Sequence, residues 1–401
     1  MIVLSSGTIP VLTKAQTNPL MFKTPRFNTP TELPEVQIVL KNNSTIAAVV
    51  LLASVSLAGC AQNTPAAASH TVSNVASNPA TNATSPTTNT TSPGGQQVSA
   101  KAAGPLPGDL LIADEGNSRI LIVTPSKQIV WSMKLGIPGS KNAGADDAFL
   151  TPDGKHIIIN EENNQVIAII DIATKKIVWT YGHPGVPGSK PGYLNTPDDA
   201  YQLPDGTVSV ADIRNQRILF INPKTHQVSK QYGVTGERYH RPPYSFAAPN
   251  GDTPVSNGST LVTEIGGSYA DMLNSSGHLL YSVHFPNINY PSDTQLLPNG
   301  NLLVVDYSDP GRIEEISPKG KILWDYYKTS GDGKLNHPSL AIRLPNGYIA
   351  LNDDYNDRVI IINPQTNQIV WQYGHTSKDG TAPGFLAEPD GIDFVPPGTH
   401  L

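Results

Sequence analysis

Cysteine is all but missing from the chain: there is one, Cys60, in 401 residues. A lone cysteine excludes an intramolecular disulfide and a zinc site built on cysteines. Charge is sparse as well. Charged residues make up 15% of the chain and sum to a net charge of −6. Nothing in that balance suggests nucleic acid or an anionic membrane face as a partner. The sequence has no Gly-rich phosphate loop, no nucleophile-elbow serine and no HExxH pair. Its N-terminal apolar run, IAAVVLLASVSLA at residues 46–58, is shorter than the about 20 residues of a membrane-spanning helix. Glycine and proline, by contrast, are plentiful at 34 and 36 residues. This is the composition of a turn-rich all-β protein held by apolar burial and sheet hydrogen bonds.

The apolar run follows Lys41 and leads directly into Leu57-Ala58-Gly59-Cys60. This tetrapeptide resembles the lipobox of bacterial lipoproteins. The resemblance implies a thioether-linked lipid on Cys60, with cleavage before it. Small residues at 58 and 59 admit the peptidase, and the thiol carries the lipid. Residues 44–60 are therefore expected to be a lipoprotein signal peptide. Residues 1–43 are an extension too long for an ordinary n-region, and translation is expected to start near Val36, Val39 or Leu40. Residues 61–104 consist almost wholly of Thr, Asn, Ser, Ala, Pro and Gly. They cannot bury enough apolar surface to fold, and they are expected to form a tether reaching on the order of 35–40 Å. Two or more acyl chains, at about 0.8 kcal/mol per buried CH₂, would make the anchor stable. The expected location is extracytoplasmic, at the cell envelope, with the membrane engaged through the lipid.

From Pro105 onward the sequence repeats. A frame exemplified by PDDAYQLPDG, residues 197–206, recurs at 145–154, 242–251, 291–300, 338–347 and 389–398. Each frame leads through a Pro-x-Gly turn into a β run such as NLLVVD at 301–306. A second run follows, such as RILFINP at 217–223, and then a third, such as QIVWQYG at 368–374. A period near 50 residues with short strands is the mark of propeller blades. The expected fold of residues 105–401 is an all-β, six-bladed β-propeller with four strands per blade. The first blade lacks an inner strand and the last frame has a spare one. The C-terminal strand is therefore expected to pair into the first blade and close the ring.

The motif Asp-x-x-Asn-x-Arg stands at Asp114…Asn117…Arg119, Asp212…Asn215…Arg217 and Asp353…Asn356…Arg358. It survives in part as Asp306…Arg312 and Asn160…Asn163…Gln165. The pattern resembles NHL-repeat propellers. Asp171 to Trp179 and Asn363 to Trp371 also look like the tryptophan-docking motif of quinoproteins, with Lys175 and Asn367 where that motif has glycine. Those quinoproteins have eight blades, so a quinone cofactor is not expected here. The Trp column reads as core between blades.

The loop into each inner strand and the turn after each second strand open on one face, the mouth. Asp146, Asp147, Asp198, Asp199, Asp293 and Asp390 fall at inner-strand entries. No basic partner repeats beside them, so they are expected to bind. Asp147, Asp199 and Asp293 are the expected metal ligands, and their oxygens suit Ca²⁺ or Mg²⁺. A second column, Asp114, Glu161, Asp212, Glu264, Asp306 and Asp353, is expected to cap turns and pair with the following Arg. His183, His240, His337 and His375 fall in entry loops on the same face, with His183 and His375 counted among the binding residues. His240, Arg241 and His337 are the catalytic candidates. They resemble the His-and-Arg mouth of six-bladed arylsulfotransferases, in which His accepts a sulfuryl group and Arg holds its oxygens.

The favoured reading is a non-catalytic binding or scaffold module that takes a protein, glycan or small ligand at an acidic mouth, with no nucleic-acid partner. The alternative is a propeller enzyme, either arylsulfotransferase-like or a metal-dependent lactonase-like hydrolase. The anchor has a direct test. Cys60→Ser should leave the precursor uncleaved after Gly59 and unlabelled by a palmitate analogue. Normal processing of that variant would refute the lipoprotein reading.

Overall fold

The computed structural model describes residues 104–140 and 143–401. The expected extension, signal peptide and Cys60, with all but the last residue of the expected tether, lie outside the described residues. Among the described residues, twenty-four strands follow one another in antiparallel fours. The first three are β1 (Asp109–Asp114), β2 (Arg119–Val123) and β3 (Ile129–Lys134). Blade 2 holds β4 (Ala148–Leu150), β5 (His156–Glu161), β6 (Val166–Asp171) and β7 (Lys176–Gly182). Blade 3 holds β8 (Pro197–Gln202), β9 (Val208–Asp212), β10 (Arg217–Asn222) and β11 (Gln227–Tyr232). In blade 4 these are β12 (Pro249–Pro254), β13 (Thr260–Glu264), β14 (Tyr269–Leu273) and β15 (Leu279–His284). Blade 5 has β16 (Pro291–Leu296), β17 (Leu302–Asp306), β18 (Arg312–Ile316) and β19 (Ile322–Tyr327). Blade 6 has β20 (Ala341–Arg343), β21 (Ile349–Asp353), β22 (Arg358–Asn363) and β23 (Gln368–Gly374). The last strand, β24 (Pro389–Val395), returns to blade 1 as its inner strand, giving the order β24-β1-β2-β3. The six-bladed ring is closed as the sequence predicts.

Burial explains the strand sequences. Second and third strands are covered on both faces by neighbouring blades, so most of them read as near-continuous apolar runs, as in β2 and β6. In β1, Leu110 and Ile112 join a core with Ala350 and Ile361 of blade 6, while Leu111 and Ala113 join one with Ile157 and Ile159 of blade 2. The core is thus a set of slabs between blades. Outermost strands alternate, as in β7, because one face meets solvent. On this rim, Trp131 donates its indole N–H to Ile172 O, Trp179 to Pro223 O and Trp324 to Pro364 O, at 2.9–3.0 Å. Trp371 donates to Pro125 O at 2.9 Å, from blade 6 back to blade 1. The Trp column is a belt linking each of these blades to the next.

Two frames need correction. The inner strand of blade 4 starts at Pro249, and its turn glycine is Gly258, at φ +80°. The expected frame 242–251 was therefore seven residues early. Gly251 instead lies within β12, where a Cβ would stand 2.8 Å from Asp199 Oδ2. In blade 2 the motif is carried by Glu161 and Asn164, with Val166 opposite Glu161. It sits one residue after the Asn160…Asn163 frame.

Closure should be measurable. Ile392 is fully buried on β24, opposite Ile112. Ile392→Ala is expected to cost about 2–5 kcal/mol, read as a lower urea midpoint. Deleting residues 389–401 leaves β1 with an open edge, and the product is expected to aggregate. A monomeric truncated protein with the full-length midpoint would show that closure contributes nothing.

Candidate functional site

The second-strand carboxylates build the loops that carry the site. Asp114 accepts the N–H of Ala387 at 2.8 Å, Asp212 that of Asn195 at 2.7 Å and Asp353 that of Asn336 at 2.7 Å. Each also meets the arginine five residues on, at 2.5–2.7 Å: Arg119, Arg217 and Arg358. Asp306 accepts the N–H groups of Asn289 and Tyr290. In blades 1, 3 and 6 this carboxylate holds the entry segment in place, and its charge is spent on the arginine.

The entry segments then turn inward. Thr196, Ala248 and Glu388 each adopt positive φ just before the proline that opens an inner strand, and His337 does so before Pro338, three residues ahead of β20. In four blades the inner strand carries one extra residue at this point, opposite its neighbour. Such a bulge breaks the alternation of side chains. Consecutive residues Asp198 and Asp199 are accordingly both buried. The inner-entry acids are brought together mainly in one sector. Asp146, Asp147 and Asp198 offer oxygens within 4.8 Å of one another, and so do Glu115, Asp146 and Asp390. Asn160 Nδ2 reaches Asp198 Oδ1 at 3.2 Å and Asp146 and Asp147 at 3.4 Å. In the next sector Asp199 feels the charge of Asp293 first, then that of Asp147. Thr253 donates to Asp293 at 3.2 Å. Asp147, Asp199 and Asp293 do not make a single ligand set; Asp147 belongs with Asp146 and Asp198.

Burial dominates the electrostatics here. It pushes Asp146, Asp198, Asp199 and Asp390 well above the usual carboxylate range, and neighbouring carboxylates add to the effect. Asp147 is raised by burial against hydrogen bonds from Asp198 and Asn160. Burial lifts Glu115 and Glu162 to about 7 and Asp293 to about 6. Arg214 only partly offsets the rise at Glu162. Asn160 Oδ1, Asp199 Oδ2 and Asp354 Oδ2 are buried without a hydrogen-bond partner. An oxygen-rich space with orphaned acceptors and little positive charge is one that a hard dication would suit. The donor set fits Ca²⁺ or Mg²⁺ in that sense.

Three aromatic residues border this space. Tyr307 packs on Tyr290 at 5.4 Å and on Tyr355 at 6.2 Å. Burial, followed by the charges of Glu162, Asp198, Asp146 and Asp390, raises the Tyr290 hydroxyl. The sequence reading missed these tyrosines, along with Glu115, Glu162, Asp354 and Asp252. Glu115, Glu162 and Asp354 each open the short 3-10 turn directly after a second-strand carboxylate, a column visible in the repeats. Asp252 was hidden by the slipped frame of blade 4.

The histidines scatter. His183 rests on Tyr193 and His375 on Phe385, at 4.0 and 4.3 Å, in matching exposed entry loops. His337 packs between Tyr307 and Tyr355, and burial lowers its pKa. His240 turns to Glu264, and Arg241 stacks on Tyr244. Among the described residues no hydrogen bond or ring contact joins His240, Arg241 and His337 into one constellation.

No protein-family model and no curated protein matches the sequence. Solved structures do resemble it in fold. One is a protein of unknown function from Bacteroides caccae, at TM-score 0.51 and 20% identity over 71% of this chain and 97% of that one. The nidogen/laminin complex gives TM-score 0.50 and 14% identity over 71% and 97%. A streptogramin B lyase gives 0.48 and 17% over 73% and 88%. The likeness is one of fold alone.

The raised carboxylates fix the sign of a pH effect. Their folded pKa values exceed the ordinary values near 4, so the folded state keeps protons that the unfolded state releases. That stability is full below pH 4 and is lost as pH rises through about 7. In chelator, the melting temperature at pH 5 should therefore exceed that at pH 8. A melting temperature that rises with pH across this window would mean the carboxylates are neutralised by donors.

Proposed function

We propose that the protein is a non-catalytic binding module whose mouth holds a divalent cation and, through it, a ligand outside the ring. What supports this reading is the shared, partly buried space of Glu115, Asp146, Asp147, Asp198 and Asp390, together with the partnerless oxygen of Asn160. Like charges this close, with so little basic counterpart, call for protons or a cation. Ca²⁺ takes six to eight oxygens in flexible geometry and commonly leaves some positions to outside ligands. Tyr290, Tyr307 and Tyr355 beside it offer ring faces and hydroxyls to a glycan or a protein side chain. The enzyme reading draws less support, because His240, Arg241 and His337 do not converge. In the same proposal, the lipid on Cys60 holds the propeller at the extracytoplasmic face of the cell envelope.

The test is thermal. Ca²⁺ in hundredfold excess over its Kd should add about 2.7 kcal/mol of stability, and chelator should remove it. Asp198→Asn combined with Asp199→Asn should abolish the difference. A melting curve of the purified protein that neither EDTA nor Ca²⁺ moves would sink the cation and leave a mouth that works by proton uptake.

A further inference from the structure

Blade 4 departs from its siblings in a way the mouth does not explain. In blades 1, 3 and 6 the second-strand carboxylate is neutralised by an arginine directly across the turn: Arg119, Arg217 or Arg358. In blade 4 the carboxylate is Glu264, and the residue across the turn is Tyr269. Two residues further along β14 stands a second carboxylate, Asp271, where blades 1, 3 and 6 carry Leu121, Leu219 and Ile360. Blade 5 also has an acid at that position, Glu314, but pairs it with Arg312 at 3.1 Å. Blade 4 thus buries two carboxylates, both fully covered. Among the described residues no Arg or Lys forms a salt bridge with either.

The partner they share is His240. Its Nδ1 lies 3.0 Å from Glu264 Oε1 and 3.8 Å from Asp271 Oδ2. The other oxygen of Glu264 accepts the N–H of Ala247, which fixes the carboxylate. Among the described residues, Asp271 has only the Glu264 carboxyl and the Ser282 hydroxyl as polar neighbours besides the imidazole. The imidazole is stacked on Tyr269, with centroids 3.7 Å apart and planes 11° from parallel. Its far nitrogen, Nε2, lies 3.4 Å from Ser282 Oγ.

We propose that His240, Glu264 and Asp271 form a metal site on blade 4, separate from the mouth, for a zinc-class dication that takes the place of the missing arginine. One ligand atom from each residue falls within 4.8 Å of the others. Zinc bonds of about 2.0–2.2 Å imply ligand–ligand edges of about 3.3–3.5 Å in a tetrahedron. The Nδ1 distances of 3.0 and 3.8 Å bracket that edge. Imidazole nitrogen with two carboxylates suits Zn²⁺, Mn²⁺ or Fe²⁺ rather than the all-oxygen preference of Ca²⁺. With Nδ1 on the metal, Nε2–H donates to Ser282 Oγ, the outer contact that fixes a ligating histidine's tautomer and orientation. His240 is about a quarter exposed, so solvent supplies the fourth ligand.

Calorimetric titration of the chelator-stripped, full-length protein with Zn²⁺, in excess Ca²⁺, tests this. The expected result is one tight Zn²⁺ equivalent that is absent in His240→Ala and in Asp271→Leu and retained in Asp198→Asn with Asp199→Asn. Asp271→Leu installs the residue of blades 1 and 3, so it should fold at least as stably as the stripped wild type while losing the site. Co²⁺ in place of Zn²⁺ should give visible absorption bands that both blade 4 variants lose. A wild-type chain that takes up no tight Zn²⁺, or the same number of equivalents in wild type, His240→Ala and Asp271→Leu, would overturn the proposal and leave His240 as a protonated partner of Glu264. Neither result bears on Ca²⁺ at the mouth.

Discussion

Everything at the mouth depends on one contact, repeated around the ring: a carboxylate at the end of a second strand accepting backbone N–H groups from the segment that enters the inner strand. Asp114, Asp212, Glu264, Asp306 and Asp353 all do this. Bonds from backbone N–H to a buried carboxylate are charge-assisted and stronger than neutral ones. Their position sets the inner strand's start and therefore the direction of its acids. A second clasp works from the neighbouring blade. Gln165 accepts the N–H of Thr196, Gln216 that of Ala248 and Asp357 that of Glu388. These entry segments are pinned from both sides, so backbone at positive φ is held without long loops.

The rigidity so obtained is spent on an unfavourable arrangement. Apolar slabs between blades supply the stability, while the inner strands PDDAYQ and PSDTQL give up apolar residues for buried acids. A protein that only needed to fold would fill these positions with Val or Ile, as its second strands do. Local rules are broken where function is carried, at a cost the rest of the fold covers. The acids also sort into two kinds. Those matched by Arg are structural, and those facing one another without a cation are available to a ligand. Distance from a positive charge, rather than residue type, separates them.

Much of the fold was legible in the sequence, because a propeller repeats its turn chemistry. The Pro-x-Gly turns, the Asp-x-x-Asn-x-Arg corners and the spare C-terminal strand gave blade count and closure. Blade 4 slipped because Pro242 and Gly251 imitate the frame that Pro249 and Gly258 occupy. The site was legible only in part. A loop can be assigned to the mouth by counting, but the direction of its side chain cannot. His183 and His375 fall in the right loops and lie against aromatic residues of those same loops. Glu115, Glu162 and Asp354 stood next to a column read as structural, and their inward turn comes from the 3-10 geometry that follows. The pair Glu264–Asp271 is visible only once β13 and β14 are set side by side.

The closing strand also imposes an order on events. Blade 1 begins the ring at Asp109 yet lacks its inner strand until Pro389–Val395 arrives. Its contacts span nearly the whole domain, and such long-range pairing slows folding. While the chain is being made, blades 2 to 6 can assemble from local strands, but blade 1 waits with an open edge. The last Trp bond of the rim, from Trp371 to Pro125, forms across the same seam. Closure of the ring is therefore one seam, and a chain that still lacks residues 389–395 differs from the finished one at one place on its circumference.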